Sequence, residues 1–430
     1  MVEKKQERET INTLSTRLKD AQKEIRILDC IKWDQSIERE FFKRKGERLP
    51  NVKASYYKDK HPLPFDSKQK IDEFKAIIRD TTNQLGEYHP ATRFIKHQSN
   101  EYIRTIHMLN TRGKPDFSEY SKALYGSPDD VFYVGGPKLS ELGGLLFDVL
   151  TTLDAQLQTD ADVKQYSAEV AQKKLQAKLA NFFTHHHDKV TVFVDDAMVA
   201  DASAGADSIK LSKRARFSDR DLRYLEVHEG WVHVGTTFNG DIQPYCSFMA
   251  KGPPSTSVIQ EGLAVLTEVV TFSSYPARMS KLTNRVVALD KISKGADFMD
   301  IYRYFIECGL EEHVSYRHTV RLFRGSTPTG GAFTKDLSYA KGFVLIYNFI
   351  RFAIIEHRVD LVPLLFCGKL ILDDIPLLSE LRERELLEPP MYLPPAFQDL
   401  AGLSAWMSMS LFLNKFDIEK VQDNFKFLLR

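Results

Sequence analysis

The sequence predicts an α+β fold that is predominantly α-helical, with a small β-sheet next to one helix that carries two histidines. Three observations predict it. Apolar residues recur at helical spacing through most of residues 1–180 and again from Ser257 onward. The character changes near residue 188, where the run VTVFV at residues 190–194 is rich in β-branched side chains. Ser218 then stands where a helix N-cap belongs, with Asp219 and Asp221 in the first turn to complement the helix dipole.

Taken in order, residues 13–34 place Leu14, Leu18, Ala21, Ile25 and Leu28 at helical intervals, with charges filling the other faces. Phe65-Asp66-Ser67 offers a cap for a helix over residues 68–84, and another helix covers residues 91–109. Residues 139–157 put Leu142, Leu145, Leu146, Val149, Leu150 and Leu153 on one broad face. Residues 1–180 thus form a mostly helical N-terminal region, and residues 181–430 form a second region. The second region opens with a strand at 190–194, a Gly- and Ala-rich turn and a strand at 208–211, read as a hairpin or a neighbouring pair. The helix begun by Ser218 runs to about Thr237. From Ser257 the chain is mainly helical again, interrupted by a Gly/Thr-rich loop over residues 325–334.

Composition excludes several function classes. The 59 Lys and Arg nearly balance the 58 Asp and Glu, so no nucleic-acid partner is expected. The first residues, MVEKKQERE, hold no apolar core of a secretory signal. The apolar stretch at residues 343–355 is shorter than the roughly 20 residues that span a bilayer. Asn348 and Arg351 interrupt it, so it reads as a buried helix and no membrane insertion is expected. Cys30, Cys246, Cys308 and Cys367 are scattered, without a C-x-x-C pair, which points to buried thiols in a reducing cytoplasm.

The chemistry concentrates in His228-Glu229-Gly230-Trp231-Val232-His233. Two imidazoles and a carboxylate on one helix supply neutral nitrogen ligands for a zinc ion and a base for the attacking water. In the H-E-x-x-H pattern the histidines lie about 40° apart around a helix; five residues apart they lie about 140° apart. A π-bulge restores a shared face, and Gly230 is the residue expected to permit it. Downstream, Ser257-x-x-Gln260 has the form of a capping box and opens a helix with Glu261 in its first turn. Glu261 fits the role of third ligand, leaving the fourth position to water. Glu268, seven residues on, shares its face and can orient a ligand from behind. The run His185-His186-His187 reads as an exposed loop, since consecutive side chains diverge. His318 or His313 would polarise a substrate carbonyl only if the fold brought one near.

The runs HEGWVHVGTTFNG, KGPPSTSVIQEGLAVLTE and TPTGGAFTKDLSYAKG, with ILDCIKWD near the N-terminus, resemble the family marked by its QEGLA motif. Its animal members are the microtubule-associated tyrosine carboxypeptidases, which remove the C-terminal tyrosine of α-tubulin. The resemblance implies a zincin-like metallopeptidase, with one Zn2+ held by His228, His233 and Glu261 and with Glu229 as catalytic glutamate. It also implies a peptide or protein C-terminus as substrate, with an aromatic (Tyr or Phe) terminal residue. Residues 1–30 mix acidic and basic side chains in place of a long basic, Ser/Pro-rich extension, which counts against tubulin binding.

Glu229 is then the proton shuttle, and Tyr339 the candidate donor to the oxyanion. Lys335 and Arg324 flank the Gly-rich loop as candidates to bind the substrate's terminal carboxylate. The strand at 190–194 or 208–211 is positioned to pair with substrate backbone. The alternatives are an aminopeptidase or endopeptidase of the same zincin type, or a non-enzymatic regulatory binding protein that retains the metal site. An intact Glu229 argues against the last, because a structural zinc site needs no base.

Overall fold

Helical periodicity in the sequence becomes helix along most of the chain, and the computed structural model describes residues 2–157, 162–185, 190–196, 198, 200–417, 420, 421 and 425. Helix α1 (Val2–Gln22) buries Ile11, Leu14, Leu18 and Ala21. It stops earlier than its apolar spacing suggests. Lys23–Arg26 form a turn, and a separate short helix follows at Ile27–Ile31. Helices α2 (Ser67–Leu85) and α3 (Pro90–Asn110) pack side by side, and the Asp66 carboxylate caps α2 by accepting the Gln69 N–H. Helix α4 (Leu139–Gln156) leaves Leu145, Leu146 and Val149 exposed; it approaches the body of the protein through Gly143, against Val286. A single apolar core joins Ile11, Phe94, Phe248, Leu263, Ile346 and Leu378, and so draws on helices from both ends of the chain.

A second core lies under the sheet, where Leu175 and Leu179 of helix α5 (Ala168–Phe182) meet Val192, Ile209, Leu225 and Val234. The strands are β1 (Thr191–Asp195), β2 (Ala202–Ala204) and β3 (Ser208–Ser212), in the order β1-β3-β2. The two strands read from the sequence are neighbours, but they run parallel, with Val192 opposite Ile209. The antiparallel partner of β3 is β2, with Ser203 opposite Lys210. Its sequence, Ala-Ser-Ala, has no β-branched or aromatic residue, so the short strand was hidden in the expected turn.

Helix α6 (Asp219–Leu225), a π-helix (Glu226–Val234) and helix α7 (Gly235–Asp241) follow without a break. Ser218 caps α6 as its sequence predicts, accepting the Asp221 N–H while the Asp221 carboxylate accepts the Ser218 N–H. Next come α8 (Thr256–Val270), α9 (Pro276–Ser293), α10 (Glu312–Phe323) and α11 (Leu337–Ile355). The capping box at Ser257 does not form. Pro253 and Pro254 start α8 earlier by accepting the Thr256 and Ser257 N–H groups, which places Glu261 in the second turn.

Helices α8 and α11 cross with their backbones in contact. A Cβ on Gly262 would overlap the backbone of Gly342, and one on Gly342 would overlap the carbonyl of Val258. Helix α11 buries Leu337, Gly342, Ile346 and Ile350 but exposes Phe352 and Ile355, so it is a one-sided helix rather than a fully buried one. With its preceding turn it is long and apolar enough to cross a membrane by length and composition alone.

Candidate metal centre

The nine-residue π segment decides where the two histidines point. Bonding from i to i+5 widens the turn, so residues five apart return to one face. The His228 and His233 rings accordingly meet edge to face, with centroids 4.8 Å apart. Gly230 serves a different end from the one its sequence position suggests. Its φ is not in the left-handed region, and a Cβ there would run into Leu179 of α5. It lets the histidine helix lie close against its neighbour. Trp231, stacked on Phe182 at 5.3 Å, fixes the same contact.

Helix α8 brings Glu261 opposite. Its Oε2 lies 3.3 Å from His228 Nε2 and 3.4 Å from His233 Nε2. The ligand atoms of all three residues fall within 4.8 Å of one another. Tetrahedral zinc with bonds of about 2.0–2.1 Å separates its ligand atoms by about 3.3–3.4 Å. The nitrogen–oxygen spacings match that edge, and two imidazoles plus a carboxylate are a donor set zinc accepts. These residues therefore fit a divalent metal.

Glu268, fully buried, accepts the Nδ1 proton of His228 at 2.6 Å, which leaves Nε2 as the lone-pair donor facing Glu261. Arg278 Nη2 holds the same Glu268 oxygen at 3.1 Å. Burial acts against the Glu268 charge, but Arg278 and His228 outweigh it and hold the carboxyl down at about 2. Burial likewise opposes charge on His228, yet its bonds to Glu261 and Glu268 raise its pKa to about 9, so a metal bound at Nε2 would displace a proton. Behind the ligands, Lys369 Nζ bridges both ligand-bearing helices, donating to the His233 carbonyl, the Thr236 hydroxyl and the Gln260 amide oxygen.

Glu229, half-buried, points to the sheet, where its Oε2 accepts the Ala204 N–H at 2.7 Å. The alternation of an antiparallel pair turns the N–H and C=O of Ala202 and Ala204 away from β3. Strand β2 is therefore the sheet edge that faces the site. The strands expected to receive substrate do not offer one: β3 is central, and Gln172 and Gln176 of α5 bond the outer edge of β1.

A cavity of about 210 Å³ opens beside the histidines, lined by His228, Glu229, Tyr339, Arg285, Arg321 and His318, among others. Tyr339 stacks near His228 with ring centroids 6.1 Å apart. Lys335 is brought to the site but is committed, its Nζ 3.0 Å from Glu261 Oε1. Arg324 is not brought into the cavity wall; its guanidinium lies over the Phe333 ring at 5.3 Å, where burial lowers its pKa to about 10. His318 lines the cavity, whereas His313 is on the surface beside Glu38. His186 and His187 lie outside the described residues. Sequence reading missed Ala204, Lys369 and the arginines of α9 and α10. The arginines carried a signal, since Arg278, Lys281 and Arg285 share one helical face and Arg317 and Arg321 another. All four cysteines are free, and only Cys308 is exposed.

Comparison with protein families finds one match over most of the chain: the family described as "Microtubule-associated tyrosine carboxypeptidase" matches residues 39–415. No curated protein matches the chain.

Proposed function

The chain belongs to the microtubule-associated tyrosine carboxypeptidase family, and from that premise we propose that it is a zinc-dependent carboxypeptidase of zincin-like design. Its substrate is a peptide or protein C-terminus ending in an aromatic residue, Tyr or Phe. The reading places it in a reducing, cytoplasmic compartment. The observation that carries it is the convergence of His228, His233 and Glu261 at ligand spacing, with Glu229 alongside.

Those three residues would hold the zinc ion, which would supply a Lewis acid to activate water and polarise the scissile carbonyl. Glu229 accepts the water's proton and passes it to the leaving amine, and the Ala204 N–H holds its carboxylate in place. The Tyr339 hydroxyl is the candidate donor to the developing oxyanion. The outward N–H and C=O of Ala202 receive the backbone of the residue to be removed or of its neighbour, as an added strand.

Metal analysis and mass-spectrometric cleavage assays on wild type and Glu229→Gln test this. The expected result is stoichiometric zinc in both proteins and release of a C-terminal Tyr or Phe by wild type. Glu229→Gln is expected to cleave about 10²–10⁴-fold more slowly. Protein that takes up no metal after reconstitution with zinc would sink the proposal.

A further inference from the structure

The cavity beside the metal centre is walled by two cationic helix faces. Helix α9 contributes Arg278, Lys281 and Arg285, and α10 contributes Arg317 and Arg321. Most of this charge is already matched. Arg278 is bonded to Glu268 at 3.1 Å, Lys281 to Asp201 at 3.1 Å, and Arg321 Nε to Asp336 Oδ2 at 2.5 Å.

Arg285 is different. It is only 7% exposed, yet its guanidinium makes no hydrogen bond among the described residues, and its Nε is buried without a hydrogen-bond partner. Its nearest carboxylate oxygen, Asp336 Oδ2, is 3.6 Å away and is the one Arg321 already holds. A buried guanidinium left without hydrogen bonds is costly, because burial removes water that no protein group replaces. Burial and the neighbouring Arg321 accordingly push the Arg285 pKa below its usual value. His318, facing Arg285, Lys281 and Arg321, is pushed well below its usual value by burial and by those charges. Arg317, half-buried, has no ion pair among the described residues.

Resting on the carboxypeptidase reading, we propose that Arg285, with Arg317 beside it, is the receptor for the substrate's terminal α-carboxylate and sets exo-specificity. The planar fork of a guanidinium matches a carboxylate with two parallel hydrogen bonds. The position is consistent with the chemistry: Arg285 shares one cavity with His228 and Glu229, so a carboxylate held there keeps the terminal residue next to the base. At about 210 Å³ the cavity is smaller than the roughly 300–1,000 Å³ of sites that enclose a whole ligand, which suits one terminal residue better than a passing chain. Lys335 is spent on Glu261, and Arg324 lies outside the wall.

The test uses full-length, zinc-loaded protein carrying Glu229→Gln, so that binding is read without turnover. Two peptides ending in Phe are compared, identical except for a free carboxylate or a carboxamide. The parent is expected to prefer the carboxylate by about ten- to a hundredfold, the worth of hydrogen bonds to a charged group. Arg285→Gln should bring that ratio close to one with zinc content unchanged, and Arg285→Lys should restore part of it. Arg317→Gln, at a half-exposed position that tolerates polar substitution, should reduce the ratio less. A ratio that survives both Arg285→Gln and Arg317→Gln in zinc-loaded protein overturns the assignment. Wild-type cleavage of the free peptide, measured in parallel, separates the two readings. Cleavage without carboxylate preference removes this inference and leaves the peptidase. Absence of both cleavage and preference removes both.

Discussion

Glu268 shows how much of the site depends on a residue that touches no substrate. Its carboxylate takes the Nδ1 proton of His228 at 2.6 Å and is itself held by Arg278 and by the Ser274 hydroxyl. That chain fixes both the tautomer and the tilt of one ligand ring. Glu268→Gln keeps the shape and removes the charge, so zinc affinity should fall about 10–100-fold. Competition with a chromophoric chelator measures it, and an unchanged affinity would show that Glu268 does not act through His228. The role is hard to read from the chain, because a glutamate seven residues after a ligand is far more often solvated than buried. Only a crossing helix that brings His228 to it makes the difference.

Where helices cross, the site depends on what is missing from a side chain. The contact of α8 with α11 puts the backbones of Gly262 and Gly342 against each other, and it sets Glu261 on one helix relative to Tyr339 on the other. A methyl at Gly262 must separate them. Gly262→Ala should therefore destabilise the protein by about 1–3 kcal/mol, despite alanine's better helix propensity. Denaturant unfolding reads it; a gain in stability would mean that the crossing is looser than described. Asp374, which starts the helix Ile375–Glu383, is another case. Burial raises its carboxyl to about 6, though the Ile371 N–H bond works the other way. Its pKa in the unfolded chain is about 3.9. The folded state thus binds the proton more tightly, and this contribution to stability is present in full below about pH 4 and is lost as pH rises toward 6. Asp374→Asn keeps the acceptor and should flatten that decline, so its melting temperature should exceed that of wild type at pH 7 but not at pH 4.

For the molecule as a whole, the ligands come from two helices separated in sequence, and an ion that binds only the assembled site stabilises the folded state by mass action. Free zinc at a hundred times its dissociation constant is worth about 2.7 kcal/mol. Wild type should melt higher with zinc than with EDTA, and His233→Ala should lose most of that difference. Equal melting temperatures for wild type in both conditions would show that the triad binds no metal when folded. The large core that joins α1 and α3 to the C-terminal helices makes this a global readout, since the helices bearing the site share that core.

What the sequence by itself determined is what depends on local periodicity and residue chemistry. That includes the helical character, the Ser218 cap, and His228, His233 and Glu261 as a group that could hold a metal ion. Family membership was legible too, because long motifs carry it directly. Tertiary structure decided what depends on approach between distant segments. The histidines share a face through nine residues of π-helix rather than a single bulge. Gly230 and Gly262 answer to neighbours, Leu179 and Gly342, that no local pattern names. Strand β2 owes its place to β3 and to Glu229, not to its own Ala-Ser-Ala. Arg285 differs from Arg278, Lys281 and Arg321 in making no hydrogen bond to an acid among the described residues, and that can be counted only once the helices are packed. Side-chain spacing along a helix is set by the chain itself, whereas burial and charge pairing are properties of surfaces that meet only on folding.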